Sequence, residues 1–148
     1  MSETYRQMKE RHQQESNAFP FGFAFNDEQF AEMMKGWGLN PKKKSDLKQI
    51  RRIGGGGFVQ AKDVPAMREM FKRFDDEMQA AIDADTTGEG FVKDMFECEL
   101  ANHEYCVTLD YSDALGALRL TEEEVAADEK LRTALMKACE AQSKCFYD

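Results

Sequence analysis

Glu99, His103 and Cys106 stand at i, i+4 and i+7 in the stretch FVKDMFECELANHEYCV, Phe91–Val107. On one continuous helix this spacing puts a carboxylate, an imidazole and a thiol on a single face. Those donors suit zinc or another transition metal. They also suit a Cys–His nucleophile pair with Glu99 orienting the imidazole. Cys98 falls about 140° round the same helix from His103, so the two do not share an ion.

A structural role for the same residues is the favoured expectation. The cysteines are not in C-x-x-C pairs, and no second histidine is near. A reactive thiol needs an electropositive setting, whereas Glu97, Glu99 and Glu104 supply the opposite. Val92 and Phe96 share the His103 side, so that face can be core. His103 near a helix end can bond terminal carbonyls and complement the helix dipole. No residue is assigned to catalysis; His103, Cys106 and Glu99 are the candidates, and no cofactor is expected unless these three hold a metal such as zinc.

The elements that must position this face follow from patterning. A helix over 91–106 is expected, entered from DADTTGEGFVKD, Asp83–Asp94. Asp83, Asp85, Thr87 and Gly88 match the start of a calcium loop, but Gly90 and Asp94 depart from it, so a polar interhelix loop is the better reading. Upstream, Met67, Met70, Phe71, Phe74, Met78 and Ile82 form a helical stripe that reads as core. Downstream, Thr121 with Glu124 is a capping box, and a last helix carries Leu131, Leu135 and Cys139. Three consecutive glutamates, Glu122–Glu124, would face phosphates in a helix-turn-helix, which argues against that use.

The N-terminal half reads differently. Tyr5, Met8 and His12 make a thin stripe on a polar helix, with His12 solvent-facing. Phe19, Phe21, Phe23 and Phe25 alternate as in a strand with one apolar face, and Gly22 and Ala24 leave room on the other. Pro20 restricts that strand to an edge or to a strand start. Asn26 with Gln29 caps a helix ending at Gly36 and Gly38. Two short strands then flank Gly54, Gly55, Gly56 and Gly57. Such glycines can cradle phosphate, and the basic run Lys42–Arg52 can contact it. The Lys-Ser/Thr of a P-loop is missing, so a hairpin turn is the expected role.

Charge divides along the chain. Residues 1–74 carry 14 Lys/Arg and 9 Asp/Glu, net +5; residues 75–148 carry 6 and 19, net −13. The acidic half argues against nucleic-acid or anionic-membrane binding. Neither an apolar leader segment nor a run of membrane-spanning length is visible, so a cytoplasmic protein is expected. The cysteines (Cys98, Cys106, Cys139, Cys145) are then expected as free thiols. Eleven Phe and nine Met suggest a soft core or an apolar face for a partner.

IGGGGF (Ile53–Phe58), ELANHEYC (Glu99–Cys106) and FAFNDEQF (Phe23–Phe30) together resemble a family of small uncharacterised proteins of gut Firmicutes, their phages and mobile elements. The resemblance implies an accessory protein encoded on a mobile element and acting on a host or defence protein. It assigns no residue a role.

The expected fold class is α+β: a small antiparallel sheet (about residues 20–25, 49–53 and 57–61) covered by helices, with a helical C-terminal third. Residues 1–18 would form a helical arm and 19–148 a single domain. The leading function is binding to a protein, either a different one or another copy of itself. Two alternatives are a metal-dependent or thiol enzyme centred on His103, and a phosphate or nucleic-acid binder using Lys42–Arg52 and Gly54–Gly57.

Overall fold

The computed structural model describes residues 2–147, and the side chains of residues 2–143. The thiol of Cys145 lies outside the described side chains. In chain order the elements are α1 (Tyr5–Ala18), β1 (Gly22–Phe23), α2 (Asp27–Gly36), α3 (Lys44–Leu47), β2 (Ile50–Gly54), β3 (Gly57–Gln60), α4 (Val64–Ala84), α5 (Phe91–Asn102), α6 (Tyr105–Thr108), α7 (Ser112–Ala117), α8 (Glu122–Ala127) and α9 (Glu129–Tyr147). The fold is α+β, with a three-stranded antiparallel sheet and a helical C-terminal region. The chain forms two compact units, one of residues 12–75 and one of residues 1–11 with 76–148. This is not a split into an arm over 1–18 and a domain over 19–148. The first turns of α1 belong with the C-terminal helices, because Tyr5 and Met8 are buried in their core.

In the unit of residues 12–75, strand order is β1-β3-β2. Ile50 faces Gln60, Arg51 faces Val59 and Arg52 faces Phe58, with a register shift between Arg52 and Gly54. The hairpin tip explains the glycines. Gly55 and Gly56 have φ of 58° and 76°, as a two-residue primed turn demands, and Gly54 has φ 88°. A Cβ on Gly56 would overlap the Phe25 ring, and one on Gly57 would crowd Ile53. The neighbour that needs the open backbone is therefore Phe25 of the same chain. Gly22 is similarly constrained: a Cβ there would lie 2.8 Å from the Trp37 ring.

The alternating phenylalanines do not form one buried face. Only Gly22–Phe23 is strand, and an edge strand of two residues gives the pattern little to pack against. Phe19, Phe21 and Phe71 group together, while Phe23 and Phe25 are exposed. His12 does not simply face solvent; its ring stacks on Phe74 at 3.9 Å. Local caps follow the sequence closely. Asn26 accepts from the Gln29 N–H at 2.8 Å. The helix then ends in a Schellman motif, with Leu39 N–H on the Met34 carbonyl and Gly38 N–H on the Lys35 carbonyl.

The other unit is built round α5. Val92, Met95, Phe96 and Leu100 are fully buried, each contributing on the order of 1.5–3 kcal/mol through apolar burial. Against them pack Leu131, Ala134, Leu135 and Ala138 of α9, Ala114 and Leu115 of α7, and Val125 of α8. The α4 stripe is core only in part: Met70 and Ile82 are buried, while Phe71 is exposed. Within Asp83–Asp94 only residues 85–90 are a polar loop, with Asp83 and Ala84 ending α4 and Phe91–Asp94 opening α5. Asp85 accepts backbone N–H bonds from Gly88, Gly90 and Val92 at 3.0, 3.1 and 2.9 Å, which closes the loop and satisfies the start of α5. Asp83 instead accepts from Gln79.

Candidate functional site

The sequence pointed to one face of a helix over 91–106. That helix ends at Asn102, with His103 at the C-cap and Glu104 left-handed at φ 56°. Glycine ordinarily fills such a position, so nothing in the local sequence marked the break. Glu99 and His103 remain one turn apart, with Glu99 Oε2 3.6 Å from His103 Nε2. Cys106 belongs to the separate helix α6, and helical spacing no longer relates it to them. Among the described residues no group of three or more His, Cys, Asp or Glu is arranged to hold a metal. The Glu99, His103 and Cys106 set is therefore not assembled as the spacing predicted.

Glu99 is instead the centre of a polar network in the C-terminal unit. Its side chain is 2% exposed, against 34% for His103. Tyr5 Oη donates to Glu99 Oε1 at 2.9 Å, and Lys9 Nζ donates to the same oxygen. Burial pushes the Glu99 carboxyl up, but hydrogen bonds from Lys9 and Tyr5 outweigh it and hold the group below its ordinary value. Tyr5 is raised in turn, by burial first and by its bond to Glu99 second. Arg6 pairs with Asp94 alongside, at 3.2 Å. These contacts join α1 to α5. A buried carboxylate would be costly alone, and here it is paired and hydrogen-bonded.

The second feature is a cleft of about 480 Å³ in the same unit, framed by α6, α8 and α9. Leu109, Val125, Leu135 and Met136 line it with apolar surface. Leu109 is 54% and Met136 67% exposed, and Val107 nearby is 67% exposed. Its polar groups are the Tyr105 and Tyr111 hydroxyls, the Cys139 thiol, Glu122 and Arg132. Arg132 Nη1 donates to the Ala126 carbonyl at 2.7 Å.

Three of these groups, Tyr105, Tyr111 and Cys139, are shifted in the same direction. Burial, then the bond to Cys139, pushes Tyr105 up to about 12. The bond to Glu122, then burial, raises Tyr111. Burial raises the Cys139 thiol, only partly offset by Tyr105. Each shift favours the protonated form of its group.

Sequence reasoning placed none of these residues in a site. By sequence Leu135 and Cys139 stand only as residues of the last helix, and α6 falls inside the helix expected over 91–106. The available signal was Met136, an apolar residue off the phase of Leu131, Leu135 and Ala138. Of the basic run, Arg52 lines a hollow in its own unit. Arg51 Nη1 donates to the Lys48 and Ile50 carbonyls at 2.7 and 2.8 Å. Arg52 lies over the Phe58 ring at 5.6 Å. Beside it, a smaller cavity of about 350 Å³ is lined by Phe25, Phe30, Phe58 and Asp27.

Among the described residues no helix is long and apolar enough to cross a membrane. Neither a curated protein nor a solved structure matches the chain. One family model does match, over residues 4–141, which takes in α1, the sheet, the Glu99 network and the cleft. The chain belongs to this family, a family of unknown function designated DUF7659.

Proposed function

We propose that the chain is a non-catalytic binding protein that takes an apolar segment of another protein into the cleft framed by α6, α8 and α9. The observation that carries this reading is the pair Leu109 and Met136, both more than half exposed where the cleft opens. Large apolar side chains gathered round a concavity favour a partner over solvent. Burial raises the Cys139 thiol, which disfavours thiolate chemistry in the cleft and supports the binding reading. Cytoplasmic action, carriage on a phage or mobile element, and a host or defence protein as partner belong to the same proposal. The mobile-element origin and the partner rest on the motifs IGGGGF, ELANHEYC and FAFNDEQF, and cytoplasmic action on a sequence in which no apolar leader or spanning run is visible.

Selection of a random-peptide display library on the full chain tests it. Enriched peptides are expected to compete with one another and to lose binding to Met136→Lys. They should keep binding to Phe23→Ser, which alters an exposed side chain of the other unit. Enrichment indifferent to Met136→Lys would overturn the assignment to this cleft. Turnover of a substrate that is abolished by His103→Ala would favour chemistry at the Glu99–His103 pair instead.

A further inference from the structure

We infer that the partner segment is a cationic amphipathic helix, whose apolar face enters the cleft while its Lys and Arg side chains meet the acidic rim. This rests on the binding role proposed above and adds the chemistry of the occupant.

Charge is the first argument. The unit of residues 1–11 and 76–148 carries 9 Lys/Arg against 20 Asp/Glu, net −11. Much of that charge belongs to the elements that form the cleft. Glu122 lines it, and Glu123 and Glu124 follow in the first turn of α8. Asp110 and Asp113 flank Tyr111, and Glu129 opens α9 one turn before Arg132. All five of these further carboxylates are exposed. Arg132 is the single cation among the described lining residues, and it is bonded to the Ala126 carbonyl. The net negative charge of this unit, and of the elements that frame the cleft, attracts cations and repels acidic peptides, nucleic acid and anionic lipid.

The lining is the second argument. Leu109, Val125, Leu135 and Met136 supply an apolar floor, and methionine and leucine adapt to varied apolar side chains. Helical walls around a hollow of about 480 Å³ receive anchors spaced at i, i+3 or i+4, and i+7 along a single helix. Tyr105 and Tyr111 add ring faces over which a Lys or Arg can sit.

The test uses the full chain and two synthetic peptides with one Leu pattern at helical spacing. One carries Lys at every polar position and the other carries Glu. Binding is read by fluorescence anisotropy, with sedimentation to follow the protein's own oligomeric state. The Lys peptide is expected to bind at least tenfold more tightly than the Glu peptide. Neutralising the rim with Glu122→Gln and Glu123→Gln should weaken it at least threefold. Added salt should do the same, and Met136→Lys should remove binding. Circular dichroism confirms that each variant keeps its helical content.

Equal binding of both peptides, each lost in Met136→Lys, would overturn the charge preference and leave the cleft as the binding site. Absence of binding by either peptide would overturn the helical partner, while the library selection independently decides the binding role. Concentration-dependent self-association lost in Met136→Lys, with no peptide binding, would make the occupant a second copy of this chain and overturn the inference.

Discussion

Tyr5 and Glu99 show which interaction matters most in the polar network. Lys9 contacts the same carboxylate, but its side chain is half-exposed, so solvent screens the pair. Tyr5 is buried, and its hydroxyl is one of the few groups able to compensate the buried carboxylate. Tyr5→Phe keeps the ring packed edge-on against Phe91 and removes only that donor. It is expected to cost about 1–3 kcal/mol in urea denaturation. Lys9→Ala should cost less, under about 1 kcal/mol. A larger loss from Lys9 than from Tyr5 would show that the ion pair, not the neutral donor, sustains Glu99.

At the scale of elements, two backbone features carry predictions. The β2–β3 hairpin needs Gly56 twice over, for its left-handed φ and for the Phe25 ring beside it. Gly56→Ala is expected to lower stability by more than about 1 kcal/mol. Gly55 has the same backbone sign but open space around it, and Asn tolerates that conformation. Gly55→Asn should therefore stay within about 0.5 kcal/mol of the wild type. A Gly56→Ala protein with an unchanged urea midpoint would contradict this account. The break between α5 and α6 works in the opposite direction. Glu104 is exposed and left-handed without being glycine. Glu104→Gly is expected to raise stability by about 1 kcal/mol, read in the same denaturation experiment.

For the whole molecule, pH dependence follows from groups in the C-terminal unit. Glu99 and Asp85 are both held below their ordinary values of 4.5 and 3.8. Burial opposes ionisation in each, and hydrogen bonds outweigh it: from Lys9 and Tyr5 to Glu99, and from the Val92, Gly90 and Gly88 backbone to Asp85. A lowered carboxyl contributes stability that is present above its unfolded value and lost as pH falls through its folded value. Stability should thus hold from neutral pH down to about pH 4.5 and decline below it. Glu99→Gln should flatten the upper part of that decline in melts recorded across the range. Tyr5 and Tyr105 are raised, so their contribution persists to about pH 10 and is lost as pH climbs further.

The sequence by itself determined what local rules can reach. The α+β class, the caps at Asn26 and Thr121, the Schellman end at Gly38 and the glycine hairpin all follow from residues within a few positions of one another. Periodicity also brought Glu99 and His103 together correctly, because they lie within one turn of the same helix. It failed at Cys106, where the chain turns at a left-handed glutamate that no glycine or proline announces.

Only the tertiary structure decided the rest. Glu99 takes its donors from Tyr5 and Lys9, 94 and 90 residues away, and such pairing depends on how α1 packs on α5. The same holds for the cleft. Whether Leu135 and Met136 close a core or open a surface depends on where α6 and α8 stop short of α9. Apolar spacing specifies that a face must be covered, and packing decides what covers it.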